Sequence, residues 1–359
     1  MPVYLDRNPS CTELLNYASV LSPDSAVDFQ GYSASLIDIG IINNMPDAAL
    51  QSTERQFLRL LKAAADRVNV RVRFYAMAEV PRSDWGRHHT TTCYSPVEEL
   101  LDSQLDGLIV TGTEPRTSNL RDEPYWSTFS NVLNWAEEST LSTIWSCLAA
   151  HAAVLGLDGI GRHRLADKRF GLYECERCSE HVMTTGMSSR VVMPHSRWND
   201  LREEDLIKSG YTVLTRSDGA GADAFIREGK SLFLFFQGHP EYDANALLLE
   251  YRRDIGRYLR GERDTYPGMP QGYFNADAEQ VLTRIQEQAI RERREDLMAG
   301  FPTGLLERTL GTPWRSASVR LYSNWLEQLS AMKPNAEGAA EFVQQPAGVL
   351  SRRFAAGAD

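Results

Sequence analysis

Cysteine is scarce in this chain: five in 359 residues, at Cys11, Cys93, Cys147, Cys175 and Cys178. An odd, sparse set makes no disulfide framework and suits a reducing compartment, where a free reactive thiol survives. Cys175 and Cys178 lie close together with His181 beyond them, but no second cysteine pair follows. A structural zinc site wants four ligands, so no metal site is expected. Positive charge is in deficit, with 38 Lys and Arg against 48 Asp and Glu and a formal net charge of -10. That excludes a nucleic-acid surface, because phosphate binding needs clustered Lys and Arg. No apolar run approaches the length of a membrane span; Leu232 to Phe236 is among the longest. The opening residues, Met1-Pro-Val-Tyr-Leu-Asp-Arg7, lack a basic stretch followed by an apolar one. No signal peptide is therefore expected, and the expected location is cytoplasmic. A glycine-rich loop ending in Lys-Ser or Lys-Thr is also missing, which argues against a phosphate-cradling nucleotide site.

What the chain does have is enough apolar material for a large core, at 42% hydrophobic residues. Residues 1–35 lack strong periodicity and read as an N-terminal arm with a short helix near Thr12 to Leu21. From Leu36 the pattern becomes regular. Leu36 to Ile42 is a strand, and a helix follows with Leu50, Phe57, Leu61 and Ala64 near one face. Val70 to Tyr75 is a second strand, and 78–100 read as a long loop with a short helix, in which His88 and His89 are expected to be solvated. Asp106 to Gly112 is a third strand, leading to a helix that carries Tyr125, Phe129, Val132 and Ala136 on one face. Such alternation predicts an α/β fold with a mostly parallel sheet sandwiched by helices, with the site at the carboxyl ends of the strands. Shorter strands at Arg190 to Met193, Thr212 to Thr215, Ala224 to Ile226 and Leu232 to Phe236 precede a helix over Leu247 to Leu259. Residues 276–298 read as a charged, exposed helical insertion, and 334–359 as a flexible tail.

Two strings carry chemistry. Ser142-Thr-Ile-Trp-Ser-Cys147 reads as a strand that ends in a cysteine, with the alanine-rich segment Leu148 to Ala153 as the helix after it. The positive end of that helix favours negative charge on the sulfur, and the Leu148 amide would point where an oxyanion forms. Phe236-Gln-Gly-His239-Pro-Glu241 closes the other buried strand. His239 and Glu241, two apart, can be arranged so that the carboxylate orients the imidazole and the imidazole faces Cys147. His151, one turn after Cys147, reads as a packing residue beneath the turn.

These strings, with Ile41-Ile-Asn-Asn-Met-Pro46, Asp106-Gly-Leu-Ile-Val-Thr-Gly112, Met193-Pro-His-Ser-Arg197, Arg253-Asp254 and Ser323-Asn-Trp-Leu326 in the same order, resemble the homoserine O-succinyltransferase family. The resemblance covers about residues 36–326. It implies a class I glutamine amidotransferase-like (flavodoxin-like) three-layer fold and an acyltransferase domain over 36–330. It also implies acyl transfer from an acyl-CoA co-substrate to the side-chain hydroxyl of homoserine or a close hydroxy amino acid, with no bound cofactor. Cys147 would carry the acyl group as a thioester, His239 would be the base and Glu241 its orienter. By family position Lys168, Ser196, Arg197 and Arg253 would bind substrate, Arg253 through the amino-acid carboxylate. A homodimer and a place in methionine biosynthesis are implied as well.

Two positions depart from the family pattern. Ala48 stands where a lysine is usual, and Thr111-Gly-Thr-Glu-Pro115 replaces the usual Thr-Gly-Ala-Pro loop. The position that separates acetyl from succinyl donors is Arg116, large but able to pair with a succinyl carboxylate. The donor and acceptor therefore stay open at the level of sequence, as do a glutamine amidotransferase-like hydrolase and a non-catalytic binding protein on the same scaffold.

Overall fold

The computed structural model describes Val3–Leu5 and residues 36–333. The helix expected near Thr12 to Leu21 and the segment 334–359 lie outside the described residues. Continuous apolar runs build the centre of the sheet. β1 (Val3–Leu5), β2 (Leu36–Ile42), β3 (Asn69–Ala76), β4 (Ser95–Pro96), β5 (Gly107–Val110) and β6 (Ser142–Ser146) pair in parallel. The second half adds β7 (His163–Arg177), β8 (Arg190–Asp200), β9 (Thr212–Ser217), β10 (Gly221–Arg227) and β11 (Leu232–Phe236). The spatial order is β1-β3-β2-β5-β6-β11-β10-β9-β7-β8, with β4 beside β3. β11 joins β6 in parallel, and from β11 outward every pairing is antiparallel.

Side chains of a strand alternate between faces, and both faces of this sheet are dry. Ile109, Ile144, Leu234 and Phe236 enter one hydrophobic cluster, while Leu108, Val110, Trp145, Phe233 and Phe235 enter the other. The first face is covered by α1 (Asp47–Ala64), through Phe57 and Leu61, together with the C-terminal helix described below. The opposite face receives α4 (Trp126–Ser139) and α5 (Leu148–Asp158), after the short helices α2 (Asp84–Cys93) and α3 (Glu98–Leu101). All five residues of β11 are buried. At roughly 1.5–3 kcal/mol per fully buried large apolar side chain, this strand is a firm support for whatever follows it. The result is the three-layer α/β sandwich expected.

The remaining helices are α6 (Glu203–Lys208), α7 (Ala246–Leu259), α8 (Ala276–Glu292), α9 (Thr303–Glu307) and α10 (Arg315–Met332). α10 packs on α1, and Trp325 donates from its indole nitrogen to Ser142 Oγ at 3.0 Å. Several local expectations are corrected. The strand expected over Arg190 to Met193 runs on to Asp200, and its partner β7, 15 residues long, was not anticipated at all. α8 is not simply exposed, because Ala278, Leu282 and Ala289 are buried. His89 is buried rather than solvated: its Nε2 lies 2.6 Å from Glu54 Oε1, and Tyr94 donates to the same oxygen. Cys147, Cys175 and Cys178 are free thiols, and Cys93 is disulfide-bonded.

Candidate active site

The parallel strands β2, β5, β6 and β11 end along one edge, and each hands its next residues to the same place. Asn43 and Asn44 follow β2 and are buried; the Asn44 amide donates to Thr111 Oγ1, just past β5, at 2.9 Å. Arg82 braces this turn by donating to the carbonyls of Asn43 and Met45, both at 2.9 Å. Ala48, at the position where a lysine was expected, is exposed in the first turn of α1.

Cys147 follows β6. Its amide donates to Phe236 O at 2.7 Å, which ties the end of β6 to the end of β11. Its backbone stands at φ 50°, ψ −109°, one of two non-glycine residues with positive φ among those described. A β-carbon in that region costs about 1–3 kcal/mol, and such strain is held where a side chain must be thrust out of a sharp turn. Here the turn passes at once into α5, so the sulfur sits at a helix N-terminus and is partly exposed. Ala149, Ala150, Ala152 and Ala153 are all buried, and their small size lets α5 settle on the sheet.

Gly112 closes the elbow from the other side. A β-carbon there would lie 2.5 Å from Leu148 Cβ and 3.1 Å from both Leu148 Cα and Ala149 N. Two of those atoms belong to the helix backbone and cannot step aside. Gly112→Ala should therefore displace the Cys147–Leu148 peptide. We expect a fall in kcat of about 100-fold, in line with small misplacements of reacting groups, with little change in far-UV circular dichroism. A near-normal kcat would show that the elbow tolerates the shift.

His239 follows β11. Its amide donates to Pro194 O at 2.8 Å, and its ring stacks on Tyr242 with centroids 4.2 Å apart. Nδ1 lies 2.8 Å from Glu241 Oε1, and both residues are buried. The other ring nitrogen, Nε2, is buried and has no hydrogen-bond partner among the described residues, which leaves it for the Cys147 sulfur, whose charge acts on the ring. Burial pulls the His239 pKa down, but the charges of Cys147 and Glu241 and the hydrogen bond to Glu241 outweigh it and hold the value well above that of an ordinary histidine. Trp314 fixes the corner by donating to Tyr242 O at 2.9 Å. His151 is buried, with Nε2 3.0 Å from Gln237 Oε1. Burial, helped by the charges of Arg197 and Arg162, brings its pKa to about 3, so it is a neutral packing group.

Beside the triad lies a charged cluster, joined to it through Tyr242, that the sequence reading touched only in part. Lys168 Nζ stands 3.3 Å from Glu250 Oε2 and 3.2 Å from Asp254 Oδ2, and rests on the Phe170 ring. Ser196 donates to Glu250 Oε2, and Tyr242 donates to Glu250 Oε1 at 2.6 Å. Arg253 donates to Asp254 Oδ1 at 3.0 Å and keeps a side-chain exposure of 40%. Burial opposes charge on Glu250, but Lys168, Arg253 and the two hydroxyls hold its pKa below the usual range. Glu250, Asp254 and Tyr242 were missed in the sequence reading. Glu250 and Asp254 are one turn apart on α7 and flank Arg253, a charge spacing that could have marked them.

Arg197 departs from its expected place. Its guanidinium is consumed inside the fold, donating to Asn199 O at 2.7 Å, to Asp200 Oδ1 at 2.8 Å and to Ala220 O. It is buried and offers no free cation to a substrate. Arg116 is exposed; its amide donates to the buried Glu123 at 2.6 Å, and its guanidinium has no ion pair among the described residues. The next loop charge, Glu114, pairs with Arg257 of α7 at 3.1 Å.

A cysteine on a strained strand-to-helix elbow, an imidazole beside it and a buried carboxylate behind the imidazole define an α/β protein of the cysteine acyl-transfer type. The chain belongs to the homoserine O-succinyltransferase family, whose sequence pattern matches residues 2–334. It is similar to a homoserine O-succinyltransferase of Rhodopseudomonas palustris, 44% identical over 310 residues, covering 86% of this chain and 92% of that protein. A homoserine O-succinyltransferase of Bradyrhizobium japonicum is 43% identical over 295 residues, covering 82% and 90%. Among solved structures, a glutamine amidotransferase from Thermotoga maritima gives a TM-score of 0.45 at 13% identity, over 82% of this chain and 98% of that one.

Proposed function

We propose that the protein transfers a succinyl group from succinyl-CoA to the side-chain hydroxyl of homoserine, a step of methionine biosynthesis. The observation that carries this is the Cys147–His239–Glu241 constellation in a chain of this family. The Cys147 sulfur attacks the thioester carbonyl, the carbon–sulfur bond to CoA breaks, and CoA leaves as its thiol with the proton held by His239. The acyl group is now a thioester on Cys147. His239 then takes the proton of the homoserine hydroxyl, the alkoxide oxygen attacks, and the bond to Cys147 breaks to restore the sulfur and the protonated ring. The Leu148 amide, in the first turn of α5, suits the oxyanion in both halves.

Homoserine is a zwitterion and needs one partner of each sign. Arg253, with 40% of its side chain exposed, suits its carboxylate, and Glu250 with Asp254 suits its ammonium; Lys168 and Ser196 keep Glu250 charged and aimed. Arg116 suits the far carboxylate of a succinyl group, since its guanidinium is otherwise unpaired among the described residues. No helix among the described residues is long and apolar enough to cross a membrane. The acyl-CoA co-substrate supports a cytoplasmic setting, and family resemblance supports a homodimer.

The test is turnover with a panel of donors and acceptors. Succinyl-CoA with homoserine should give O-succinylhomoserine and free CoA, acetyl-CoA should be the poorer donor, and glutamine should release no ammonia. Arg116→Gly should narrow the preference for succinyl over acetyl by about tenfold, the worth of one partly exposed charge pair in a binding step. Equal turnover of both donors by the unaltered protein would remove Arg116 from donor choice, and ammonia release would replace the acyltransferase reading with a glutaminase.

A further inference from the structure

Behind the His239 corner lies a second buried constellation with no role in the chemistry above. His195, Asp223 and Cys175 are all buried, and a ring nitrogen, a carboxylate oxygen and the sulfur lie within 4.8 Å of one another. Such a set invites a metal reading, but the histidine's other nitrogen argues against it. Arg197 Nε donates to His195 Nδ1 at 3.4 Å, so Nδ1 is the acceptor and Nε2 carries the proton. The protonated Nε2 lies 3.2 Å from Asp223 Oδ1, close enough to feel its charge though not in hydrogen-bond geometry, and has no lone pair for a cation. A closed zinc site would also want a fourth ligand. The neutral ring thus links a buried cation to a buried anion, and burial, the first of the influences on it, keeps it uncharged.

The position of this link is informative. Gly238, next to the base, has no room for a side chain because His195 and Asp223 occupy the space: a β-carbon would lie 2.4 Å from Asp223 Oδ1 and 3.1 Å from His195 Nε2. The backbone on either side of Gly238 is held by the same two strands. Gln237 N–H donates to Asp223 O and His239 N–H donates to Pro194 O, each at 2.8 Å. Thr215 fixes the second carboxylate oxygen of Asp223 at 2.8 Å, and the Tyr173 ring meets His195 edge-on.

We propose that Arg197, His195 and Asp223 form a positioning network that sets the angle of the Gly238–His239 corner, and so the aim of His239 at Cys147 and the acceptor hydroxyl. The network touches no substrate and acts only through the base. It rests on the reading of His239 as that base.

The test compares His195→Leu with His195→Gln, whose amide can still turn an N–H toward Asp223. With succinyl-CoA and homoserine, His195→Leu should lower kcat about 30- to 100-fold, as small misplacements do, while both KM values stay within about twofold. The acyl-enzyme should accumulate on intact-mass measurement, because its breakdown depends most on an aimed base. His195→Gln should recover to within about fivefold of the unaltered enzyme, since a polar N–H still faces the Asp223 carboxylate. If His195→Leu fails to fold, the isosteric Asp223→Asn carries the same expectation. Equal damage in the Leu and Gln variants, or kcat unchanged per acylatable molecule, would overturn the network. Stoichiometric zinc in the purified protein would also overturn it, because zinc requires an unprotonated Nε2. His239→Ala separates the two levels. If it is inactive while His195→Leu is not, only the network falls; if it stays active, the reading of the base falls too.

Discussion

Cys147→Ala should lose at least about 10³-fold in acyl transfer, the scale of removing a nucleophile from a working triad. The unaltered protein, incubated with succinyl-CoA without acceptor, should gain the mass of one succinyl group, and the variant none. The physical ground is narrow. Cys147 is the free, partly exposed cysteine at the strand-to-helix elbow; Cys175 is buried, with burial and the Asp223 charge pushing its thiol far up. Cys178 is exposed just after β7, where its amide donates to Leu214 O of β9, and desolvation raises its pKa. Cys175 does lie near an imidazole, that of His195, but both residues are fully buried. An adduct that persists in Cys147→Ala would move the nucleophile elsewhere and end the thioester route.

His239→Asn should follow with a loss of about 10²–10⁴-fold, the usual worth of a positioned general base. The effect should fall on deacylation, so the variant still gains the succinyl mass but turns over slowly. The charge relation also has a sign that can be measured. In the resting protein burial disfavours protonated His239, and Cys147 with Glu241 overcomes it. Acylation removes the negative charge from the sulfur and leaves only Glu241 in support. The ring's pKa should therefore fall in the acyl-enzyme, which frees the neutral form just when a base is needed. In pH–rate work the limb for reaction of acyl-enzyme with homoserine should lie at lower pH than the ionisation of His239 in the free enzyme. Cys147→Ala removes the same charge, so NMR titration of its His239 should also give a lower value. An unchanged pKa in that variant would mean that Cys147 and His239 do not share a charge.

Some of this was legible before any coordinates. Leu232–Phe236 was read with its observed bounds because a strand buried on both faces is a continuous apolar run, and Leu36–Ile42 because its β-branched residues dominate despite Asp38 and Gly40. The elbow was legible because a buried strand, a cysteine and small helix-forming residues follow one another directly. β7 was not, since His163–Arg177 alternates partly buried and exposed polar residues on an antiparallel ladder. Its stability comes from partners far away in the chain. His89 looked like a loop residue because its partner Glu54 lies on another helix. Arg197 looked like a ligand for substrate because an arginine's sequence neighbours do not reveal whether Asp200 and two carbonyls have already claimed it.

The chain's own order of residues was sufficient for the class of fold and for proposing Cys147, His239 and Glu241 as a triad, because each depends on local chemistry: side-chain period, a residue at a strand end, a pair two apart. The tertiary structure alone decided that β6 and β11 are neighbours, that Gly112 seats the elbow, that Glu250 gathers Lys168, Ser196 and Tyr242, and that His195 lies behind the base. Those facts join residues widely separated along the backbone. Burial and hydrogen-bond partnership are properties of the folded packing, and no spacing rule within one segment contains them.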